Sequence, residues 1–300
     1  MQTIFLYITV VLIWGSTWAA IPYQLGVVDA EVSVGYRFGI AAIGLYLYAL
    51  ISRRQIRLPR SAYPFVLLQG TLLFCLNYFL MYYGTARITS GLVAVLFSSI
   101  ILFNTVFERL FFKTKIDERV MLASALGLTG IVMIFWHEVS IVTLGDETVV
   151  GIILVLLGTL IASLGNMAAV VNTSRALPVV AVNAHGMAWA AALSLTLSVL
   201  LGRELTFSFE QGYILSLAYL AVFGSAIAFG CYLALIRRIG SARAAYSSVL
   251  LPIIALTIST VVENYEWTLV AAAGISLTLV GNWLILSSRT TSRQIEGTSK

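Results

Sequence analysis

The sequence predicts an all-α membrane protein, with ten transmembrane helices arranged as two inverted five-helix repeats. Three observations carry that expectation. Apolar stretches recur at the length a bilayer demands, basic residues sort into alternate loops, and the two halves share features in opposite orientation. The background is a chain of 300 residues that is 60% hydrophobic and only 10% charged, a balance foreign to a soluble domain of this size.

The apolar stretches fall at 4–21, 32–51, 64–83, 90–107, 120–136, 149–171, 180–201, 212–235, 244–262 and 267–287. Each is close to the roughly 20 residues that cross about 30 Å of hydrocarbon as a helix. The first follows only Met1, Gln2 and Thr3, with no basic segment, so it is expected to be a retained helix and not a cleaved leader. With the N-terminus placed in the cytoplasm, the inner loops and tail hold Arg53, Arg54, Arg57, Arg60, Arg109, Lys113, Lys115, Arg119, Arg175, Arg237, Arg238, Arg243, Arg289, Arg293 and Lys300. Only Arg37, Arg87 and Arg203 of the 18 basic residues fall elsewhere, which puts both termini in the cytoplasm of a cell inner membrane. The net charge of +5 is then accounted for by loops facing anionic headgroups, and nucleic acid is not an expected partner.

The halves echo each other. Glu108 ends the fourth stretch and Glu263 the ninth, and each is followed by a polar turn and a helix with small residues seven apart, Ala123 to Gly130 and Gly274 to Gly281. The expected division is 1–140 for the first repeat, 141–288 for the second, and 289–300 for a polar cytoplasmic tail. Inverted repeats are a mark of transporters, in which two related halves exchange conformations about a midplane site.

Candidate site residues are polar or aromatic groups at membrane depth. Pro252 lies about 12 Å into the ninth stretch and would free the carbonyl of Ser248, which then needs protein or water for company. A packing kink is the competing reading. Asn77, Tyr78 and Tyr82 share an edge of the third stretch and suit a solute of mixed character. For Tyr82 and Tyr83 an interfacial aromatic belt stands as the alternative. Trp14 either walls a pocket or fills the core. Asn166 sits beside the small-residue face Gly158, Ala162, Gly165 and Ala169, which reads as a helix-packing seam. Tyr232, Ser225, Ser98 and Ser99 complete the set. Arg37 is expected to snorkel to the outer interface or pair with Glu31 or Asp29, and His185 to be a hydrogen-bonded structural residue.

Other classes lack their residues. No carboxylate falls inside a stretch, so carboxylate-based ion coupling lacks its usual group, and no nucleophile–base pair suggests an enzyme. No Gly-rich nucleotide loop suggests a pump, and no ring of polar residues suggests a pore. Cys75 and Cys231 read as packing residues, and no cofactor or metal ion is expected.

Several segments also resemble the EamA-type transporters of the drug/metabolite transporter superfamily. They are Ile13–Ser16 (IWGS), Tyr36–Phe38 (YRF), Tyr82–Gly91 (YYGTARITSG), and the run from Gly224 to Gly281 with its RRIGSARA loop, Pro252 and Glu263. The likeness spans nearly the whole chain and lies in the order and spacing of the segments. The first half departs from it in carrying Phe97 where the second has Pro252. The resemblance implies ten helices in two inverted repeats and export of amino acids or other small metabolites. Together with the residues it leads us to expect a secondary transporter of neutral or zwitterionic amphipathic solutes, acting as monomer or homodimer among membrane lipids. A passive channel or facilitator for small neutral solutes is the alternative.

Overall fold

The structure is a computed structural model that describes residues 2–17, 20–26, 28–88, 93, 96–116, 118–134, 136, 146–251, 253–254 and 268–287. Among these residues there is no strand. The helices are α1 (Gln2–Thr17), α2 (Ala30–Ile51), α3 (Arg60–Thr85), α4 (Ile100–Phe112), α5 (Glu118–Ile134), α6 (Asp146–Ser174), α7 (Val179–Leu200), α8 (Gln211–Ile239), α9 (Ser241–Ala245) and α10 (Leu269–Ser287). Five of them, α2, α3, α6, α7 and α8, are long and apolar enough to cross a membrane, and α1 and α10 are shorter apolar helices.

Local chemistry sets the boundaries. α3 opens with a 3-10 turn at Arg60–Ala62 and Pro64 lies in the α-helical turn that follows, while Pro178 precedes α7, positions where a missing N–H costs no helical hydrogen bond. At the end of α8, Gly240 takes φ +82°. That left-handed turn lets the chain double back into α9. Glu108 of α4 caps the start of α9, accepting from Ser241 N (2.8 Å), Ser241 Oγ (2.6 Å) and Ala242 N (3.3 Å). The negative side chain meets the unpaired amides and positive end of the helix. The corresponding Glu263 lies outside the described residues.

The helices overrun the apolar stretches. The stretch 149–171 becomes α6 from Asp146 to Ser174, and 212–235 becomes α8 from Gln211 to Ile239. The stretch 4–21 carries α1 from Gln2 to Thr17, and Ile21–Gln24 forms a 3-10 turn. Hydropathy marks where lipid contact ends, whereas helical hydrogen bonding continues until a turn residue stops it.

Packing is inside-out in polarity. On α1 the run Ile4, Phe5, Ile8 and Leu12 is exposed, while Tyr7, Val10 and Val11 are buried. Exposed aliphatic stripes suit lipid, and the polar residues turn inward, as do Ser33, Gln69, Asn104, Ser163 and Asn166. The chief helix pairs are α3 with α6, α5 with α10, α2 with α7, α3 with α7, α1 with α8 and α2 with α8, and α4 packs against both α6 and α9. Gly130 and Gly274 hold α5 and α10 together, since a Cβ on Gly130 would stand 2.5 Å from the Gly274 carbonyl oxygen. The small-residue face of α6 likewise seats α3, with Gly165 against the Leu73 backbone and Gly158 against Leu80, as the packing-seam reading expects.

Two helices are locally underwound in the same manner. α3 carries a π-helical segment at Gly70–Leu76 and α8 one at Val222–Ile227. In the first, the Asn77 N–H reaches back to Leu72 O instead of Leu73 O. In the second, the Ala228 N–H bonds Phe223 O and Ser225 O, not Gly224 O. Each bulge therefore releases one backbone carbonyl from the helical ladder.

Candidate functional site

The released carbonyls are both taken up by side chains that line one central cavity. Leu73 O accepts from Asn77 Nδ2 (3.3 Å) on its own helix. Gly224 O accepts from Trp14 Nε1 (3.0 Å), across from α1, and from Arg37 Nη2 (3.5 Å), across from α2. The cavity is about 100 Å³ and draws its wall from α1, α2, α3, α6, α8, the start of α4 and the segment after α9. Gly224 has no room for a side chain, since a Cβ there would lie 2.9 Å from Thr17 Cγ2 and 3.2 Å from Arg37 Nη2.

Of the eleven candidate residues named from the sequence, seven line this space, namely Trp14, Asn77, Tyr78, Tyr82, Asn166, Tyr232 and Ser248. Trp14 packs against Phe229 and Tyr232 with ring centroids 4.9 and 5.0 Å apart, giving an aromatic wall. Tyr82 is buried in the cavity and not in an interfacial belt, whereas Tyr83 on the neighbouring face donates its hydroxyl to Glu31 Oε1. Ser248 donates to Ala245 O (2.7 Å) within a 3-10 turn spanning Tyr246–Leu250. Pro252 lies outside the described residues. Ser98 is buried but is not part of the cavity wall; the neighbouring Phe97 and Ile100 take that place. A helical residue covers the surface over the turn before it, so adjacent positions point roughly 100° apart.

The polar floor of the cavity is a network with a partner the sequence reading did not pick out. Asn104 of α4 accepts at Oδ1 from Ser163 Oγ (2.6 Å) and Asn166 Nδ2 (3.3 Å), and donates through Nδ2 to Ser241 O (3.2 Å). Asn166 Nδ2 also donates to the Tyr232 hydroxyl (3.1 Å). The network thus ties α4, α6, α8 and α9 at one point. Asn104 was findable, because a buried amide in an apolar stretch always needs partners.

Arg37 departs most from expectation. It neither snorkels nor pairs with Glu31 or Asp29. It is 2% exposed and lines the cavity, donating through Nε to Ser225 Oγ (2.8 Å) and lying 4.7 Å from the Tyr78 ring centroid. Asp29 instead sits 3.7 Å from Arg203, and Glu31 accepts at Oε1 from the Tyr83 hydroxyl. The reason for the miss is angular. Position along the stretch suggested an interface residue, while its rotation around α2 faces α3 and α8. His185 is away from the cavity, with Nδ1 2.9 Å from Ala181 O and its ring edge-on to Tyr46 and Tyr63, a structural placement. Cys75 and Cys231 are free thiols, and Cys75 accepts from Ser194 Oγ (3.2 Å). Among the described residues no cluster of His, Cys, Asp and Glu could hold a metal ion.

A central cavity with an aromatic wall, within helices whose outer faces are apolar, suits a carrier, and comparison with known proteins decides the class. The sequence model of the EamA-like transporter family matches residues 1–136 and 149–287. The chain belongs to the EamA-like transporter family. It is therefore a multi-pass membrane transporter for small molecules and not an enzyme. Similar chains include the uncharacterized inner membrane transporter YedA of Escherichia coli K12, 29% identical over 90% of this chain and 87% of that one. Protein PagO of Salmonella typhimurium is 24% identical over 95% of each chain, and the uncharacterized transporter YoaV of Bacillus subtilis 22% identical over 83% and 84%. A crystal structure that is only 16% identical superposes with a TM-score of 0.76 over 94% of this chain and 95% of that one, which shows the shared fold.

Proposed function

We propose that this EamA-family member is a secondary transporter that exports small amphipathic metabolites, amino acids or their relatives, across the inner membrane by alternating access. In this reading ten helices form two inverted repeats, 1–140 and 141–288, with residues 289–300 as a cytoplasmic tail. The observation that carries it is one cavity to which both halves contribute, Asn77 and Tyr78 from one, Asn166, Tyr232 and Ser248 from the other.

The helix pairing supports the repeat. Adding five to each label turns the α1–α8 pair into the α6–α3 pair and leaves α2–α7, α4–α9 and α5–α10 unchanged. The π-helical segments fall in α3 and α8, which correspond under the same shift. A two-fold relation between halves of opposite orientation requires such a pattern, and exchange of the two conformations would open the cavity to alternate sides. Charge placement supports cytoplasmic termini. Arg175 donates to Ser61 O (3.0 Å), Arg238 to Gln2 Oε1 (2.9 Å), and Glu108 caps Ser241, so the basic loops gather at one end. The pairs Arg87–Glu147 and Arg203–Asp29 belong to loops expected on the opposite side.

Counterflow in proteoliposomes, with a panel of radiolabelled amino acids and small metabolites, tests the reading. Saturable uptake stimulated by unlabelled solute on the far side is the expected result, with Asn77→Leu raising the half-saturating concentration about tenfold through loss of one polar contact. Flux that neither saturates nor shows counterflow would instead mark the passive facilitator.

A further inference from the structure

Arg37 is the one charged residue among the described residues lining the cavity, and no carboxylate among them pairs with it. Its neighbours are neutral. Nε is well used by Ser225, but Nη2 makes only long contacts, 3.4 Å to the Tyr78 hydroxyl and 3.5 Å to Gly224 O. Nη1 is buried with no partner at all. A guanidinium that has lost its water and found no counter-charge is costly to keep, and its planar fork is shaped to bind a carboxylate through two parallel hydrogen bonds. The Tyr82 hydroxyl, also buried and unpartnered, is a further donor in the same cavity. Elsewhere on the wall, Asn77 Oδ1 and Asn166 Oδ1 are acceptors without donors, and Leu73, Phe97 and Phe229 are apolar.

We propose that Arg37 is the anion-binding residue of this transporter, and that its solutes carry one carboxylate on an apolar body. The inference rests on the transport reading above and narrows its substrate class. A single guanidinium matches a single negative group, and the aromatic wall takes the apolar body. The two free amide oxygens accommodate the ammonium of an amino acid without requiring it.

The test uses the purified full chain in nanodiscs and four probes of similar apolar body, L-leucine, 4-methylpentanoate, 3-methylbutylamine and 3-methylbutanol, with thermal stabilisation read against concentration. The two carboxylates should bind at least tenfold more tightly than the amine and the alcohol. Arg37→Gln should abolish that preference, and Arg37→Lys, which keeps the charge and loses the fork, should retain part of it. If Arg37→Gln is not monodisperse, Ser225→Ala serves in its place, and loosening the Nε anchor should lower carboxylate affinity several-fold. Equal binding of all four probes, no carboxylate binding to the wild type, or unchanged carboxylate affinity in the variant that folds would overturn the proposal. Counterflow separates the two ideas. Carboxylate binding without flux sinks the transport reading and keeps the anion site, whereas saturable flux of the amine or alcohol alone sinks the anion site and keeps transport.

Discussion

The amide of Asn166 shows how one side chain can hold four helices in register. It links Asn104, which is itself bonded to Ser163 and Ser241, with the Tyr232 hydroxyl on the cavity wall. Replacing it by leucine removes the Asn166 donor to the Tyr232 hydroxyl and one of the two donors to Asn104 Oδ1, which keeps Ser163, and each buried hydrogen bond lost costs about 1 kcal/mol. Asn166→Leu should therefore lower the thermal midpoint of the purified protein and weaken substrate binding about tenfold. Asn166→Asp is the informative companion, since it trades a donor for negative charge in a cavity where Arg37 is the one charged residue among the described residues of the wall. If both variants match the wild type in stability and binding, the network is incidental packing.

Among the helices, the α5–α10 pair is fixed by backbone approach and not by side-chain chemistry. In a bilayer the lipid tails are as apolar as leucine, so close association needs small residues that let backbones meet. Gly130 faces Gly274 and Thr278, and Gly281 faces Ala123 and Gly127. A leucine at Gly130 must push the helices apart, and overpacking of that kind costs about 1–3 kcal/mol. Because neither helix contributes to the described cavity wall, Gly130→Leu should depress thermal stability while leaving the affinity of the surviving folded protein within about twofold; a differential scanning measurement beside a binding titration checks both. The π-helical segments work in the opposite sense. They spend regular helical hydrogen bonds to present Leu73 O and Gly224 O to the site, a role that glycines at 70 and 224 accommodate by leaving space.

For the molecule as a whole, orientation follows from charge. Gln55 lies in the basic loop after α2, and Glu204 in the loop after α7, and both are exposed. In a background with Cys75 and Cys231 replaced by serine, a membrane-impermeant thiol reagent added outside intact cells should label Glu204→Cys and spare Gln55→Cys. Lysing the cells should expose the second site. The reverse pattern in intact cells would invert the topology and with it the direction assigned to transport.

The sequence by itself determined the class of molecule. Apolar length and the loop placement of Arg53, Arg109, Arg175 and Arg237 depend only on transfer free energy and charge, which are additive along a chain and legible one residue at a time. It also marked Trp14, Asn77, Tyr78, Tyr82, Asn166, Tyr232 and Ser248, because a polar or aromatic group at membrane depth must seek company. Rotation was decided only by the tertiary structure. Ser98 turned away from the cavity while Phe97 and Ile100 turned toward it, and Arg37, placed by linear position at an interface, came to rest between α3 and α8. Those outcomes hang on which helices meet and on two π-helical turns that shift the helical phase by a fraction of a turn. Neither quantity is stored in any one residue; both come from long-range packing, where small residues on one helix admit the backbone of another.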